Sequence, residues 1–391
     1  MVVGYRPAPF HHSIMKSITG IPENISTLLF GRISRMYRNA SGTLFAIASL
    51  DSSQDDNIIL SDAQGSDEGT RAGKMRVNEI EELDALHKED VIAISPQGTI
   101  TVLFSKQSND NALIVTDRCN CSCIICPQNL PAVTKSLLDD NLRVIDLIPK
   151  DAKVIGLTGG EPTVVPEELL QIIGRCRKRL PDTRLEILTN GIALENIELV
   201  RNMLTLKNSG ISFHIPLYSD DEHIHNQVTG ANSFYRTIKG LYNLARYDQQ
   251  IEIRAVVTKI NYRRLPQWAT FIARNFPFAC HTAIMALEPT GHALTNLSAV
   301  WIDPNETLEE LSQAIRILNR ADMPVSLYNY QLCILPESLR KYARQSISDW
   351  KNIYLPICRG CAIKKLCGGF FASQVNCHIA HIHPIESGGA K

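Results

Sequence analysis

This 391-residue chain is expected to fold as an α/β protein built on a parallel sheet. Two observations predict that class. Six apolar runs with strand character recur at 112–116, 153–158, 185–189, 211–217, 251–258 and 282–287. Stretches with helical apolar spacing lie between or after them, at 137–148, 167–179, 197–206, 234–246, 265–274 and 307–320. Strands that alternate with helices build parallel βαβ units. A partial six-unit barrel fits this period at least as well as an open sheet. In both, functional residues collect where strands end and loops begin.

The flanks read differently. Residues 1–110 are expected to form a β-rich module, with apolar runs at 27–30, 43–50, 91–94 and 99–104. Between them, 61–74 is a polar loop and 77–87 has the spacing of a helix. No chemical motif occurs there, so a docking or recognition module is the default. The strand–helix rhythm fills 111–325 and stops after it. Residues 326–391 are expected to form a small cysteine-rich domain.

Composition excludes several function classes. Forty Lys and Arg balance forty Asp and Glu, so the net charge is zero. That balance gives no electrostatic reason to expect nucleic acid or an anionic membrane as partner. No apolar run approaches the roughly 20 residues of a membrane span. Residues 1–16 carry Pro7, Pro9, His11 and His12 without the basic-then-apolar order of a secretory signal, so a cytoplasmic location is expected.

Cysteine carries the chemistry. There are eleven, an odd count that favours metal binding or catalysis over disulfides in a reducing compartment. Cys119, Cys123 and Cys126 form C-x3-C-x2-C on the loop after the first predicted strand. Three thiolates on one short loop hold three irons of a [4Fe–4S] cluster and leave the fourth open to a small molecule. Cys121 adds a spare thiol, and a four-thiolate zinc knuckle is the alternative. The second strand runs into Gly159-Gly160-Glu161-Pro162. The two glycines allow close backbone approach to an amino-acid moiety, and Pro162 fixes the exit of the turn. Cys358, Cys361 and Cys367 form C-x2-C-x5-C, with Cys333 upstream as a fourth ligand. A closed set of four suits an iron–sulfur cluster and a structural zinc equally. Cys176 and Cys280 read as buried small hydrophobes. Cys377, His378, His381 and His383 form a weak metal pattern, and His381 with His383 fits one solvated face of a strand.

C-x3-C-x2-C after strand one and GGEP after strand two resemble the radical S-adenosylmethionine enzymes, over about residues 110–325. Thr189-Asn190-Gly191 ends strand three as that family often has it. The segment from His225 to Gly230, with Ser233, Phe234, Thr237 and Ile238, is similar to the peptide-modifying branch, as is 256–261 with its trailing Asn261. The C-terminal stretches 333–339, 346–351 and 358–371 look most like the HxsC-type radical maturases of the His-Xaa-Ser repeat peptide system.

The resemblance implies a partial (β/α)6 TIM-like barrel with a C-terminal auxiliary iron–sulfur domain. It implies a [4Fe–4S] cluster on Cys119, Cys123 and Cys126, with S-adenosylmethionine chelated to the open iron. Gly159, Gly160 and Glu161, with Pro162, would hold the cofactor's amino group, and Asn190 and Asn261 would lie near it. Ser219 is a ribose candidate beside Tyr218, because Pro216 stands where the family often has Ser. Arg254 is a candidate partner of the cofactor carboxylate. Ile125 replaces the family's usual aromatic residue before the last cysteine. Electron transfer to the sulfonium would yield methionine and a 5′-deoxyadenosyl radical, which abstracts hydrogen from the substrate. No catalytic residue beyond cluster and cofactor is implied. The implied partners are a ribosomally made peptide and an electron donor such as a flavodoxin or ferredoxin. The implied second cofactor is a [4Fe–4S] cluster on Cys333, Cys358, Cys361 and Cys367, with zinc as the alternative. A radical methyltransferase and a small-molecule radical enzyme are the rival enzymes, and a non-catalytic zinc-stabilised binding protein is the rival of another class.

Overall fold

A computed structural model describes residues 17–39, 41–51, 57–63, 75–128, 135–205, 210–345, 353–374, 377 and 379–386. Residues 1–16, most of the 61–74 loop, 346–352 and His378 lie outside these.

The N-terminal region is a sheet of eight strands: β1 Ser17–Thr19, β2 Ile21–Glu23, β3 Leu29–Arg38, β4 Leu44–Leu50, β5 Asn57–Ser61, β6 Arg76–Asn78, β7 Val91–Ile94 and β8 Thr99–Phe104. Their order is β1-β8-β7-β3-β4-β5-β6-β2. Only Gly20 separates β1 from β2, so one short segment pairs with both ends of the sheet and closes it. A Cβ on Gly20 would stand 2.4 Å from the Asn78 carbonyl, so this crossing needs a glycine. Alternate side chains point inward and form a separate core that includes Ile33, Ile58, Leu60, Ile92, Ile94 and Ile100. The helix expected at 77–87 does not form. Val77 and Asn78 belong to β6, and one 3-10 turn, Leu83–Ala85, follows. Val77, Ile80, Leu83 and Leu86 share that core, so their helix-like spacing reflects burial in a β module.

The second sheet is parallel throughout and runs in sequence order: β9 Ala112–Thr116, β10 Val154–Gly159, β11 Arg184–Leu188, β12 Ile211–Pro216, β13 Gln250–Val257, β14 His281–Ala286, β15 Val325–Tyr328 and β16 Ala343–Arg344. The connecting helices are α1 Leu138–Leu147, α2 Pro166–Arg179, α3 Ile197–Thr205, α4 Glu222–Thr229, α5 Phe234–Ala245, α6 Leu265–Asn275, α7 His292–Thr295, α8 Leu297–Val300, α9 Leu308–Arg320 and α10 Glu337–Arg340. One face of the sheet, with Leu157, Ile187, Phe213, Ile253, Ile284 and Leu327, packs against Ile172, Val200, Leu241, Trp268 and Ile315 of the helices in one core. Phe30, Val91, Ala93 and Phe104 of the first sheet join that core.

Two expectations change here. The sheet has eight strands instead of six, and it continues past residue 325 through β15 and β16. Both strands are too short to show a periodicity, and their pairing to β14 is what makes them strands. Cys280 is exposed at the entrance to β14, with its thiol on the Ile251 carbonyl at 3.2 Å, whereas Cys176 is fully buried as expected.

The C-terminal segment is made of 3-10 turns, Pro356–Cys358, Lys364–Leu366 and Ala372–Gln374, with one bridge between Ile353 and Phe370. No strand passes through His381 and His383. His381 has a left-handed backbone, and the His383 ring bonds the His381 carbonyl.

Candidate functional site

The loop 117–128 leaves the C-terminal end of β9 and carries Cys119, Cys121, Cys123 and Cys126. Three segments, after β10, at the end of α4 and after β14, grip its backbone. After β10, the Gly160 amide donates to the Thr116 carbonyl and the Glu161 amide to Arg118, each at 2.8 Å. Gly159 has φ of 130°, and a Cβ there would meet the Thr116 oxygen at 2.3 Å. A Cβ on Gly160 would meet the Arg118 oxygen at the same distance. The two glycines therefore let the second strand end lie directly on the cysteine loop.

From the α4 end, the Thr229 and Val228 carbonyls accept the Ser122 and Ile124 amides at 3.0 Å each. Gly230 caps α4 with φ of 64° and abuts the Ser122 backbone. The segment after β14 is the third. The His292 amide donates to the Cys126 carbonyl at 2.8 Å, and the Asn296 side-chain amide donates to Ile124 at 3.2 Å. Gly291, with φ of 54°, packs on the Pro127 and Cys126 backbone. Sequence reasoning missed Gly291, His292 and Asn296. They stand more than 160 residues from the loop, in a segment without a motif.

Glu161 is buried and accepts four hydrogen bonds. Thr163 donates from its amide at 3.0 Å and its hydroxyl at 2.5 Å, Thr189 from its hydroxyl at 2.6 Å, and the Asn190 amide at 2.6 Å. Burial pushes its carboxyl up, against the pull of those donors. The side chain expected at the cofactor's amino group is thus committed to joining the β10 and β11 ends. Pro162 begins the 3-10 turn that Glu161 caps. Asn190 reaches the cysteine loop, with its amide 2.7 Å from Asn120 and 3.5 Å from the Cys121 sulfur. The Cys121 amide in turn donates to the Cys119 sulfur at 3.4 Å.

Asn261 is buried, and its amide ties the Tyr218 carbonyl to the Val256 carbonyl at 2.8 and 2.9 Å. Ser219 is buried and accepts the Asp221 amide at 3.1 Å in the turn into α4. Tyr218 shares an apolar cluster with Ile125, Val228, Leu287 and Val300, and burial and then the nearby cysteine sulfurs push its phenol well up. Arg254 lies deeper, bonded to Glu252 and His214.

His225 explains part of the 225–230 motif. Its Nδ1 accepts the Tyr218 amide at 3.2 Å, and its ring packs against Tyr218 and Phe234. Burial lowers its pKa from 6.5 to about 4. The folded state thus holds it neutral, and stability from this group is full above pH 6.5 and lost as pH falls toward 4. The loss is about 3 kcal/mol at 1.36 kcal/mol per unit. Denaturant titrations at pH 7 and pH 4.5 should show this acid sensitivity in the wild type and a smaller one in His225→Phe. An equal pH dependence in both proteins would refute the assignment.

The thiols suit a cluster by donor chemistry. Cys119 is raised by its hydrogen bond with Cys121 and then by burial, and Cys126 is raised by burial. Such thiols stay protonated alone, and bound iron is what offsets their ionisation. Among the described residues, no three or more His, Cys, Asp or Glu side chains are drawn together around a single metal ion.

The second cysteine group forms around a small pocket lined by Cys333, Cys358, Cys361 and Cys367, with Tyr354, Lys364 and His383. Backbone amides of Leu332 and Gly369 reach the Cys367 sulfur at 3.5 Å, and that of Ile385 reaches Cys361 at 3.4 Å. Gln374 bonds the Leu287 carbonyl just beyond β14 at 3.4 Å. That anchor places this segment at the same end of the sheet as the first cysteine loop.

Residues 113–272 match the model of the Radical SAM superfamily. This chain carries a radical SAM superfamily domain. With it comes the enzyme class that the cysteine loop and GGEP predict. Its fold is α/β, on the eight-stranded parallel sheet described above. Similar curated proteins are a GTP 3′,8-cyclase of Petrotoga mobilis, 25% identical over 225 residues, covering 55% of this chain and 65% of the relative. A GTP 3′,8-cyclase of Rhodococcus opacus is 30% identical over 100 residues, covering 24% and 28%. The chain thus spans less than two thirds of these relatives. Among solved structures, Streptococcus suis SuiB bound to precursor peptide SuiA is 16% identical, covering 55% of this chain and 48% of that one, with a TM-score of 0.43. A radical SAM methyltransferase from Sphaerobacter thermophilus is 12% identical, covers 78% of each chain and has a TM-score of 0.44. Among the described residues, no helix is long and apolar enough to cross a membrane.

Proposed function

We propose that this chain is a radical S-adenosylmethionine maturase of a ribosomally made peptide, of the His-Xaa-Ser type. The gripped C-x3-C-x2-C loop at the C-terminal end of a parallel sheet carries the radical part of this reading. When bound there, a [4Fe–4S] cluster with S-adenosylmethionine supplies a 5′-deoxyadenosyl radical for hydrogen abstraction. The chain's own residues orient it. Cys119, Cys123 and Cys126 are the cluster ligands, the backbone of Gly159 and Gly160 faces the cofactor, and Ile125 and Tyr218 exclude water. Glu161, Asn190, Ser219 and Asn261 act by holding strand ends in register.

The peptide part rests on the C-terminal resemblance and on the second cysteine cavity. Cys333, Cys358, Cys361 and Cys367 are the ligands of an auxiliary [4Fe–4S] cluster in this reading. Amides directed at their sulfurs are the surroundings such a cluster uses. An electron donor such as a flavodoxin or ferredoxin serves the first cluster. The N-terminal module docks the peptide by a face, because its closed sheet offers no edge for strand addition. A second reading, radical chemistry on a purine nucleotide, is favoured by the names of the curated relatives.

The test is anaerobic reconstitution, with iron and zinc counts and assay of 5′-deoxyadenosine. About eight irons per chain is expected, falling to about four in Cys358→Ala/Cys361→Ala with cofactor cleavage retained. Zinc in place of the second four irons would make that domain structural. Incubation with a His-Xaa-Ser peptide and, separately, with GTP discriminates the substrate readings by mass change.

A further inference from the structure

The inner face of the parallel sheet holds a polar cluster that neither cysteine group uses. Strand register sets it out in three rows. His214, Glu252 and His281 are Cα partners across β12–β14. One row nearer the strand ends stand Arg254, Ala283 and Ser326, and in the next Met285, Tyr328 and Arg344. Side chains two apart on a strand share a face, so all three rows lie on one face, with Arg344 exposed where that face meets the sheet edge. In the first row Glu252 accepts from His281 Nδ1 at 2.6 Å and from Arg254 Nε at 2.5 Å, and His281 Nε2 meets the Ser326 hydroxyl at 3.0 Å. Burial pushes the Glu252 carboxyl up, but His214, His281 and Arg254 outweigh it and hold it well below the usual carboxylate range.

The Arg254 guanidinium is thereby fixed in orientation. A guanidinium has five N–H donors. Glu252 holds Nε and His214 contacts Nη2. Among the described residues Nη1 has no partner, and it is not sealed away, because the side chain keeps 22% exposure. Among the described residues Arg344 bonds the backbone carbonyls of Lys341 and Ala343, through Nη1. Burial and then Glu252 push the Tyr328 phenol up, against the pull of Arg254 and Arg344 on either side of it. Ala283 leaves the row between Arg254 and Ser326 without bulk. Charge counting gives the sign of the ligand. Arg184 offsets Glu186 at 2.7 Å, and Arg254 offsets Glu252. Arg344 remains, a surplus of one positive charge among the arginines and glutamates of this face.

We propose that this inner face, between Arg254 and Arg344 around Tyr328, is a subsite for a carboxylate group of the substrate. The cofactor's own carboxylate is the wrong occupant by depth. Arg254 lies three residues before the end of β13, about 10 Å below the rim at 3.3 Å per residue. The cysteine loop, to which the cofactor's amino and carboxylate groups are assigned, lies beyond that rim. The inference rests on the reading that a peptide substrate enters the sheet interior, and an acidic side chain of that peptide is the group it takes.

The experiment uses full-length reconstituted protein, with succinate as the carboxylate probe and succinamide as its neutral counterpart, in calorimetric titrations. Succinate is expected to bind, and succinamide at least tenfold more weakly. Arg254→Gln and Arg344→Gln should each weaken succinate tenfold or more, with S-adenosylmethionine affinity within twofold of wild type. Arg254→Lys, which keeps the charge beside Glu252, guards against misfolding and should lose less than Arg254→Gln. Equal binding of the two probes, or succinate binding unmoved in both Gln variants, overturns the subsite. A tenfold loss of S-adenosylmethionine affinity in Arg254→Gln overturns it too, and returns Arg254 to the cofactor. The peptide reading fails separately, if succinate binds as stated and no peptide is modified.

Discussion

Replacing Cys119, Cys123 and Cys126 together by Ala is expected to abolish 5′-deoxyadenosine formation and to remove about four irons per chain. The sulfur donors are lost while the fold is kept. The thiols lie on a loop outside the large core, and its backbone is held by Gly160, Glu161, Val228, Thr229, His292 and Asn296. Thermal stability of the iron-free variant should therefore match that of iron-free wild type within about 1 kcal/mol, the size of ordinary surface substitutions. The contrast with Cys176→Ala is informative. Cys176 is fully buried in α2, so its loss should cost stability and leave iron content unchanged. Retention of cofactor cleavage in the triple variant would show that the radical centre lies elsewhere.

Glu161→Gln is expected to destabilise the protein by about 3 kcal/mol and to weaken cofactor affinity, although the side chain keeps its size. The carboxylate accepts from four donors on Thr163, Thr189 and Asn190. An amide nitrogen in place of either oxygen points an N–H at another donor, and buried unsatisfied groups cost about 1–3 kcal/mol each. The Asn190 amide loses its acceptor in one amide orientation, and Thr189 and Thr163 lose theirs in the other. Either way the β10 and β11 ends separate, and with them the backbone that carries Gly159 and Gly160 onto the cysteine loop. Urea unfolding of the iron-free proteins measures the first effect, and S-adenosylmethionine titration of the loaded ones the second. A Glu161→Gln protein that is as stable as wild type but fails to bind cofactor would instead mean that the carboxylate touches the cofactor directly.

Much of this was legible in the sequence for identifiable reasons. The six strand runs were visible because each is apolar on the helix-packed face, as at Leu157, Ile187, Phe213 and Ile253. The cysteine spacings and GGEP were visible because close approach and metal ligation restrict residue type at fixed offsets. The 225–230 segment stood out as a motif, and its reasons became clear in three dimensions. Asn226 caps α5 through the Ser233 and Phe234 amides, His225 holds the Tyr218 amide, and Gly230 lies on Ser122.

What the sequence by itself determined is the class of fold and the two cysteine groups, since each is encoded in a local pattern. Only the tertiary structure decided which residues hold the first cysteine loop in place. Gly291, His292 and Asn296 meet the cysteine loop from more than 160 residues away. The closure of the N-terminal sheet depends on Gly20 letting one segment pair with both ends. β15 and β16 exist because β14 offers an edge to pair with, and four or two residues alone carry no period. Arg254 also depends on assembly. Whether it is a free cation or a guanidinium fixed by Glu252 and His214 is set by strand register, which no local spacing records.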